Sequence, residues 1–423
     1  MYLDFLPFKT VAIVAVFMSS VLHGCDKPDP ENISGKELDL TGAEIEIVSR
    51  SNDFAFKLYG ESLDGLGSRN ALISPLSIQA ALAMTYQGAR GDTRDAIANA
   101  IGVNGLAVET VNAYFKKLIN DLPQLDPQTK LEVANSIWYR QGFEVIPAFL
   151  DVNRTYFNAE VNALDFNADS SVERINDWVK TKTHDKIEKI VNQLEADLMM
   201  LLLNAVYFKG GWEQQFDNAL TARDVFHHGT DAAHVLHVDY MRLEHTFPVA
   251  GHAKFDAIEL PYGNKKFSMV ALRPKDGVTV ADLVETFSGT GQWAALLNES
   301  SFSPRKIKLH FPKFKFSYSN KLNDELAALG MTTAFSPTAD FTDINAQSQL
   351  RISEVRHKSF IEVNEEGTEA TAVTSVGIVL TSVPVVPVMK FDRPFLFVIR
   401  ENSSGLIMFV GQVNDPTSET TEL

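Results

Sequence analysis

The segment Glu362–Arg400 reads EVNEEGTEATAVTSVGIVLTSVPVVPVMKFDRPFLFVIR, and its composition decides the fold. A charged hinge around Gly367 opens into a long run of small and β-branched residues, after which the chain returns to a strongly apolar strand. From Gly367 to Val383 there is no proline and one charge, Glu369. Read as a strand, Thr368, Ala370, Ala372, Thr374, Val376 and Ile378 share one face. Glu369, Thr371, Val373, Ser375, Gly377 and Val379 share the other, so the lone charge lies opposite an uncharged face. Such a run beside a flexible hinge is an aggregation hazard unless it is meant to enter a sheet.

The bulk numbers narrow the partners. A net charge of −16 over 423 residues, with no lysine or arginine cluster, argues against nucleic acid and other polyanions. The single cysteine, Cys25, excludes an intrachain disulfide and zinc-ribbon chemistry. Lys9 precedes an apolar run, Val11 to Leu22, that is short for a membrane span and has the length of a signal h-region. The run ends in Leu22-His23-Gly24-Cys25, which resembles a bacterial lipoprotein cleavage box with Cys25 as the lipidated first residue. His23 and Asp4 depart from that pattern, and a plain secretory signal is the alternative. Either reading expects residues 1–24 to be a signal peptide and the protein to be extracytoplasmic, anchored by lipid at a bacterial cell envelope or secreted.

Residues 25–44 read as a polar tether containing Pro28 and Pro30. Helical periodicity begins just after Gly42 and recurs in an alanine-rich helix after Asn70, around Thr93 to Ile119 and over Val172 to Thr181. Strand-like runs are Leu131–Tyr139, Leu201–Phe208, Phe267–Arg273, Lys306–Phe316 and Phe395–Arg400. With no linker between Gly42 and Pro416, helices early and strands late predict one α+β domain over 45–416 and a frayed tail at 417–423.

Several blocks resemble serpin motifs, in family order: NALISPLSI (Asn70–Ile78), ANSIW (Ala134–Trp138), NAVYFKGGW (Asn204–Trp212) and HFPKF (His310–Phe314). Leu326–Met331 with Ala334-Phe335, the hinge NEEGTEA (Asn364–Ala370) and the closing Phe395–Val413 complete the series. The resemblance implies about nine helices packed around three β-sheets, with an exposed reactive-centre loop at about 367–390. It implies a suicide-substrate inhibitor of serine proteases, monomeric but prone to loop–sheet polymerisation, whose partner is a target protease held as a covalent acyl complex. A non-inhibitory carrier on the same fold is the alternative; no cofactor or metal is expected.

The resemblance also assigns residues. Glu365, Glu366, Gly367, Thr368, Glu369, Ala370, Thr371, Ala372 and Val373 form the hinge, with Gly367 able to turn and Thr368 small enough to insert first. Ser74, Ser77, Asn204 and His357 form a polar cluster where two strands part, and Trp212 marks the point of first insertion. Ser74 and Ser77 read equally well as local helix-starting residues. Family spacing puts the scissile bond at Thr381-Ser382, with Leu380-Thr381 as the alternative register. Neither offers a basic side chain, so elastase-, subtilisin- or chymotrypsin-like proteases fit better than trypsin-like ones. His227, His228, His234, His237 and His245 crowd one region, but their spacing matches no standard metal motif.

Overall fold

The computed structural model describes residues 1, 36–228, 235–347, 349–368 and 386–422. Cys25 with leader residues 2–24, hinge residues Glu369, Ala370, Thr371, Ala372 and Val373, bond candidates Leu380, Thr381 and Ser382, and His234 lie outside the described residues. The described residues from Lys36 onward belong to one compact unit.

Local chemistry sets the helix starts. At α1 (Gly42–Glu61) the Thr41 hydroxyl accepts from the Glu44 amide while the Glu44 carboxylate accepts from the Thr41 amide, a closed capping box. At α2 (Pro75–Tyr86) Ser74 is the N-cap and Pro75 takes the first helical position, where no amide hydrogen is needed. The periodic stretch expected over Thr93–Ile119 is two helices, α3 (Gly91–Ala100) and α4 (Val108–Asp121). Gly102 and Gly105 break it by adopting positive φ, 76° at each. Next come α5 (Pro147–Phe157), α6 (Asp169–Lys182), α7 (Val280–Phe287) and α8 (Gln292–Leu296). The last helical stretch, taken together as α9, is Asn323–Leu326 and Thr332–Phe335 joined across a kink at Ala327–Met331, where Gly330 at φ 100° is not helical. Counted this way, the described residues hold nine helices besides short 3-10 turns.

Two hydrogen-bonded sheets carry the strands. The seven-stranded sheet is ordered β16 (Thr420–Glu422), β10 (Phe314–Lys321), β11 (Arg356–Asn364), β12 (Gly367–Thr368), β4 (Met200–Gly211), β2 (Thr129–Arg140) and β3 (Glu160–Leu164). The nine-stranded sheet is ordered β1 (Ala71–Ile73), β15 (Ile407–Val413), β14 (Phe395–Glu401), β8 (Phe267–Pro274), β7 (Phe255–Tyr262), β6 (Val235–Gly251), β9 (Ser303–Pro312) and β13 (Val388–Lys390). A further strand, β5 (Ala222–His227), pairs with β6. The three expected sheets are two networks because β6 is long enough to bridge. It pairs β5 and β9 along most of its length and β7 at Val249–Gly251.

The main core lies between the two sheets and α2, and a smaller cluster around Trp138, Ile175, Trp178 and Leu203 fills the space under α6. Side chains of β4 therefore alternate, with Leu201, Leu203 and Ala205 facing α6 and Phe208 facing the main core.

Three sequence expectations change. The apolar run Lys306–Phe316 is two strands, because the chain leaves one sheet at Lys313, whose amide donates to the Asp239 carbonyl, and enters the other. The end of the expected tether is docked: Leu38 is buried, Lys36 pairs with Asp121 at 2.9 Å and Glu37 pairs with Lys266. The tail is not frayed, since Thr420–Glu422 runs parallel to β10 with Thr421 buried. Backbone pairing along a sheet edge satisfies those groups better than polar composition suggests.

Candidate functional site: the seam between β4 and β11

β11 leaves the sheet at Asn364, and the chain turns back within three residues. The Asn364 side-chain oxygen accepts from the Glu366 amide at 3.0 Å and the Gly367 amide at 3.3 Å, an Asx turn. Gly367 then sits at φ 147°, and a Cβ there would lie 2.1 Å from the Gly210 carbonyl oxygen and 2.6 Å from Gly211 Cα. Only glycine fits this approach. Gly210 and Gly211 reciprocate by offering backbone without side chains.

Thr368 lies between two strands at once, opposite Val363 of β11 and Gly210 of β4. Its side chain is buried, with the hydroxyl 2.7 Å from Tyr262 Oη on the core side. Trp212 stands over the turn. Its indole Nε1 donates to the Asn364 carbonyl at 2.9 Å, its amide donates to the Glu366 carbonyl, and its ring stacks on Tyr262 at 4.6 Å.

Glu365 is held inside this turn. Its carboxylate pairs with Lys313 Nζ at 2.9 Å and accepts from the Thr221 hydroxyl at 2.7 Å, with the side chain 5% exposed. Burial pushes the Glu365 carboxyl up, but the Lys313 and Thr221 bonds outweigh it and leave the group below its ordinary value. Glu366 lies in the same turn, half-buried, with its carbonyl taken by Trp212.

Beyond Thr368 the seam is open among the described residues. No hydrogen bond between described residues joins the rest of β4 to β11, although each is fully paired on its far side, to β2 and to β10. A 390 Å³ cavity lies between the start of β4 and the start of β11, lined by Ser77, Ile78, Leu203, Asn204, Ile352 and His357 among others.

The structure brings Ser74, Ser77 and His357 into direct contact. The Ser74 amide donates to His357 Nε2 at 3.2 Å, and the Ser74 hydroxyl accepts from the Ser77 amide at 3.3 Å as the N-cap. Ser74 thus caps α2 with its hydroxyl and contacts His357 with its amide. Asn204 borders the same cavity but bonds elsewhere, donating to Asn135 Oδ1 at 2.6 Å, while Asn135 donates to the Phe157 carbonyl at 2.6 Å. Asn204 Oδ1 is buried with no partner among the described residues. Burial pushes the His357 imidazole down to about 4, against a bond to the Leu72 carbonyl that favours the cation. His357 is therefore a neutral acceptor for Ser74 at physiological pH.

Sequence reasoning did not single out Tyr262, Lys313, Thr221 or Asn135. Lys313 and Asn135 sit inside the quoted blocks HFPKF and ANSIW, so a signal existed there without a role. The described histidines of the 227–245 region do not converge. His228 Nδ1 contacts the Asn414 carbonyl and His245 packs on Phe247, and no described group of histidine, cysteine or carboxylate residues could hold a metal.

Comparison with known proteins matches residues 49–416 to the serpin (serine protease inhibitor) family. A protein called a serine protease inhibitor from Cyanea capillata is 30% identical, over 87% of this chain and 98% of its own. An uncharacterised serpin-like protein from Methanosarcina mazei is 34% identical, over 88% of each chain. The native crystal structure of tengpin, a thermophilic serpin, superimposes with a TM-score of 0.80 at 34% identity, covering 90% of this chain and 96% of that one.

Proposed function

The chain belongs to the serpin family, and from that premise we propose that it is a suicide-substrate inhibitor of an elastase-, subtilisin- or chymotrypsin-like serine protease. The carrying observation is the register of Gly367-Thr368 at the mouth of the β4–β11 seam. Continued in that register, Ala370 would pair with Phe208 and Ile361, Thr374 with Asn204 and His357, and Ile378 with Met200 at the first residue of β4. Thr368, Ala370, Ala372 and Thr374 would all face the core, where only uncharged side chains are tolerated. Glu369 would fall on the opposite face, beside Lys209 and Glu362.

The proposed reaction begins as ordinary acyl transfer. The protease serine oxygen adds to the Thr381 carbonyl carbon, the Thr381–Ser382 C–N bond breaks, and Ser382 leaves as a protonated amine. The acylated segment then enters the seam as a strand before water can cleave the ester. New ladder bonds and burial drive this step, as in other strand-addition reactions. The position of Asn204 Oδ1 supports the register, because an inserted Thr374 hydroxyl would bring a donor to a buried acceptor that has none among the described residues.

Incubation with pancreatic elastase or subtilisin tests the reading. The expected product is a complex that survives boiling in detergent, and mass spectrometry should find a released fragment beginning at Ser382. Clean cleavage with full recovery of protease activity would sink it. In Ala372→Arg a charge must be buried only on insertion, so this variant should be cleaved as a substrate, and an unchanged stoichiometry would reject the hinge assignment. The same proposal places the protein outside the cytoplasm, anchored through Cys25, which intact-mass analysis of the membrane-extracted protein would check.

A further inference from the structure

We propose that the C-terminal strand Thr420–Glu422 is an edge cover that keeps a second copy of this chain from adding a strand to β10. The proposal does not depend on the inhibitory reading. An unpaired strand edge presents a row of free amide and carbonyl groups and templates pairing with another chain.

Without β16, β10 would be the longest outermost strand of the two described sheets, the open seam between β4 and β11 aside. It has eight residues, against six in β5, five in β3 and three each in β1 and β13. Its side chains alternate, with Phe314, Phe316, Tyr318 and Asn320 buried and Lys315, Ser317, Ser319 and Lys321 facing outward. Lysines therefore guard both ends of the edge, while the middle, Ser317-Tyr318-Ser319, carries no charge. That middle is the part β16 covers, with Ser317, Tyr318 and Ser319 opposite Thr420, Thr421 and Glu422. The Ser317 amide, which would otherwise face outward, donates to the Glu419 carbonyl at 2.9 Å.

The cover is fastened to the body. Thr421 is 2% exposed, and Arg69 Nη1 donates to the Glu422 carbonyl at 3.2 Å. The chain leading to it is clamped where Asn70 Oδ1 accepts from the Asn414 and Asp415 amides and Asn70 Nδ2 donates to the Asp415 carbonyl. The family match stops at residue 416, so the strand lies beyond the part this chain shares with the family model.

The test uses the full chain, a chain ending at Pro416, and Thr421→Pro, which cannot pair as the native strand does. Hydrogen exchange reads the Ser317 amide, and light scattering reads oligomers after incubation at rising protein concentration. The intact chain should be monomeric with Ser317 protected. Both variants should exchange Ser317 at least tenfold faster and form oligomers that increase with concentration. Adding Ser319→Lys, which restores an edge charge, should return the truncated chain to monomer. A variant that deprotects Ser317 yet stays monomeric would overturn the proposal. So would a variant whose Ser317 stays protected, an intact chain whose Ser317 exchanges freely, or oligomers undiminished by Ser319→Lys. Should the truncated chain fail to fold, Thr421→Pro and exchange in the intact chain decide.

Discussion

At the scale of single residues, His357 and Thr368 carry the sharpest consequences. The His357 imidazole is depressed from an ordinary 6.5 to about 4 by burial. The unfolded chain then binds more protons than the native one between those values, so stability is full above about pH 7 and is lost as pH falls through this window. The shift corresponds to about 3 kcal/mol, read as the fall in unfolding free energy between pH 7 and pH 4. In His357→Gln that part of the pH profile should flatten. Glu365 acts lower on the scale. Its carboxyl is held below its ordinary 4.5, so its contribution is present above that value and disappears as pH falls through the native one. Replacing Thr368 by Val leaves the buried Tyr262 hydroxyl without its 2.7 Å partner. The expected cost is about 1–3 kcal/mol in urea unfolding, and Thr368→Ser should recover most of it. Gly367→Ala forces a side chain into the Gly210 carbonyl, so it should destabilise by at least ~1–3 kcal/mol or unseat β12, which the exchange of the Gly367 amide would reveal.

At the scale of elements, what matters is a seam with a strand's worth of pairing left unfilled among the described residues. Both β4 and β11 are ordinary strands on one side and lack described partners on the other below β12. A synthetic peptide with the sequence Thr368–Ile378 should therefore anneal between them, raise the melting temperature and abolish protease capture. A peptide that binds without either effect would place it elsewhere. Elements were legible where a pattern was long and interrupted by recognisable punctuation. β2 and β8 follow their apolar runs to within a few residues, and the Ser74-Pro75 pair marks the start of α2 through local chemistry alone. The division of Lys306–Phe316 was missed although the apolar phase shifts at Pro312-Lys313, from Ile307, Leu309 and Phe311 to Phe314 and Phe316; each half alternates on its own, and only the partners show that the halves belong to different sheets. Polar sequence at Thr420–Glu422 concealed a strand for the converse reason: an edge strand needs backbone partners more than apolar side chains.

For the whole molecule, the open seam predicts a large response to a single nick. Cleavage in the 380–382 region should raise the melting temperature well beyond the few degrees that individual contacts supply, since an added strand contributes many bonds together. A carrier that does not insert its loop would melt unchanged. The candidate site itself was only partly legible. Ser74, Trp212 and Gly367 were readable from short blocks because each does a job that few residue types can do, whereas His357 lies in none of those blocks and came from the family resemblance alone. Tyr262, Lys313 and Thr221 were not, since their roles arise only when β7, the β9–β10 junction and the β4–β5 connection meet around the turn, and Asn135 acts only where β2 lies between β4 and α5.

The sequence by itself determined that a glycine hinge is followed by a run with one charge, Glu369, and that in any strand formed by this run the charge falls opposite an uncharged face. That information is local, because side-chain alternation and backbone freedom depend on neighbouring residues. Only the tertiary structure decided the register that Gly367 and Thr368 take between β4 and β11, and that Glu365 is held by Lys313. It also decided that the last residues close the sheet's edge. These depend on groups brought together from distant parts of the chain, 52 residues apart for Glu365 and Lys313 and more than a hundred for Thr368 and Gly210, and no periodicity within a segment records which distant segment will supply its partner.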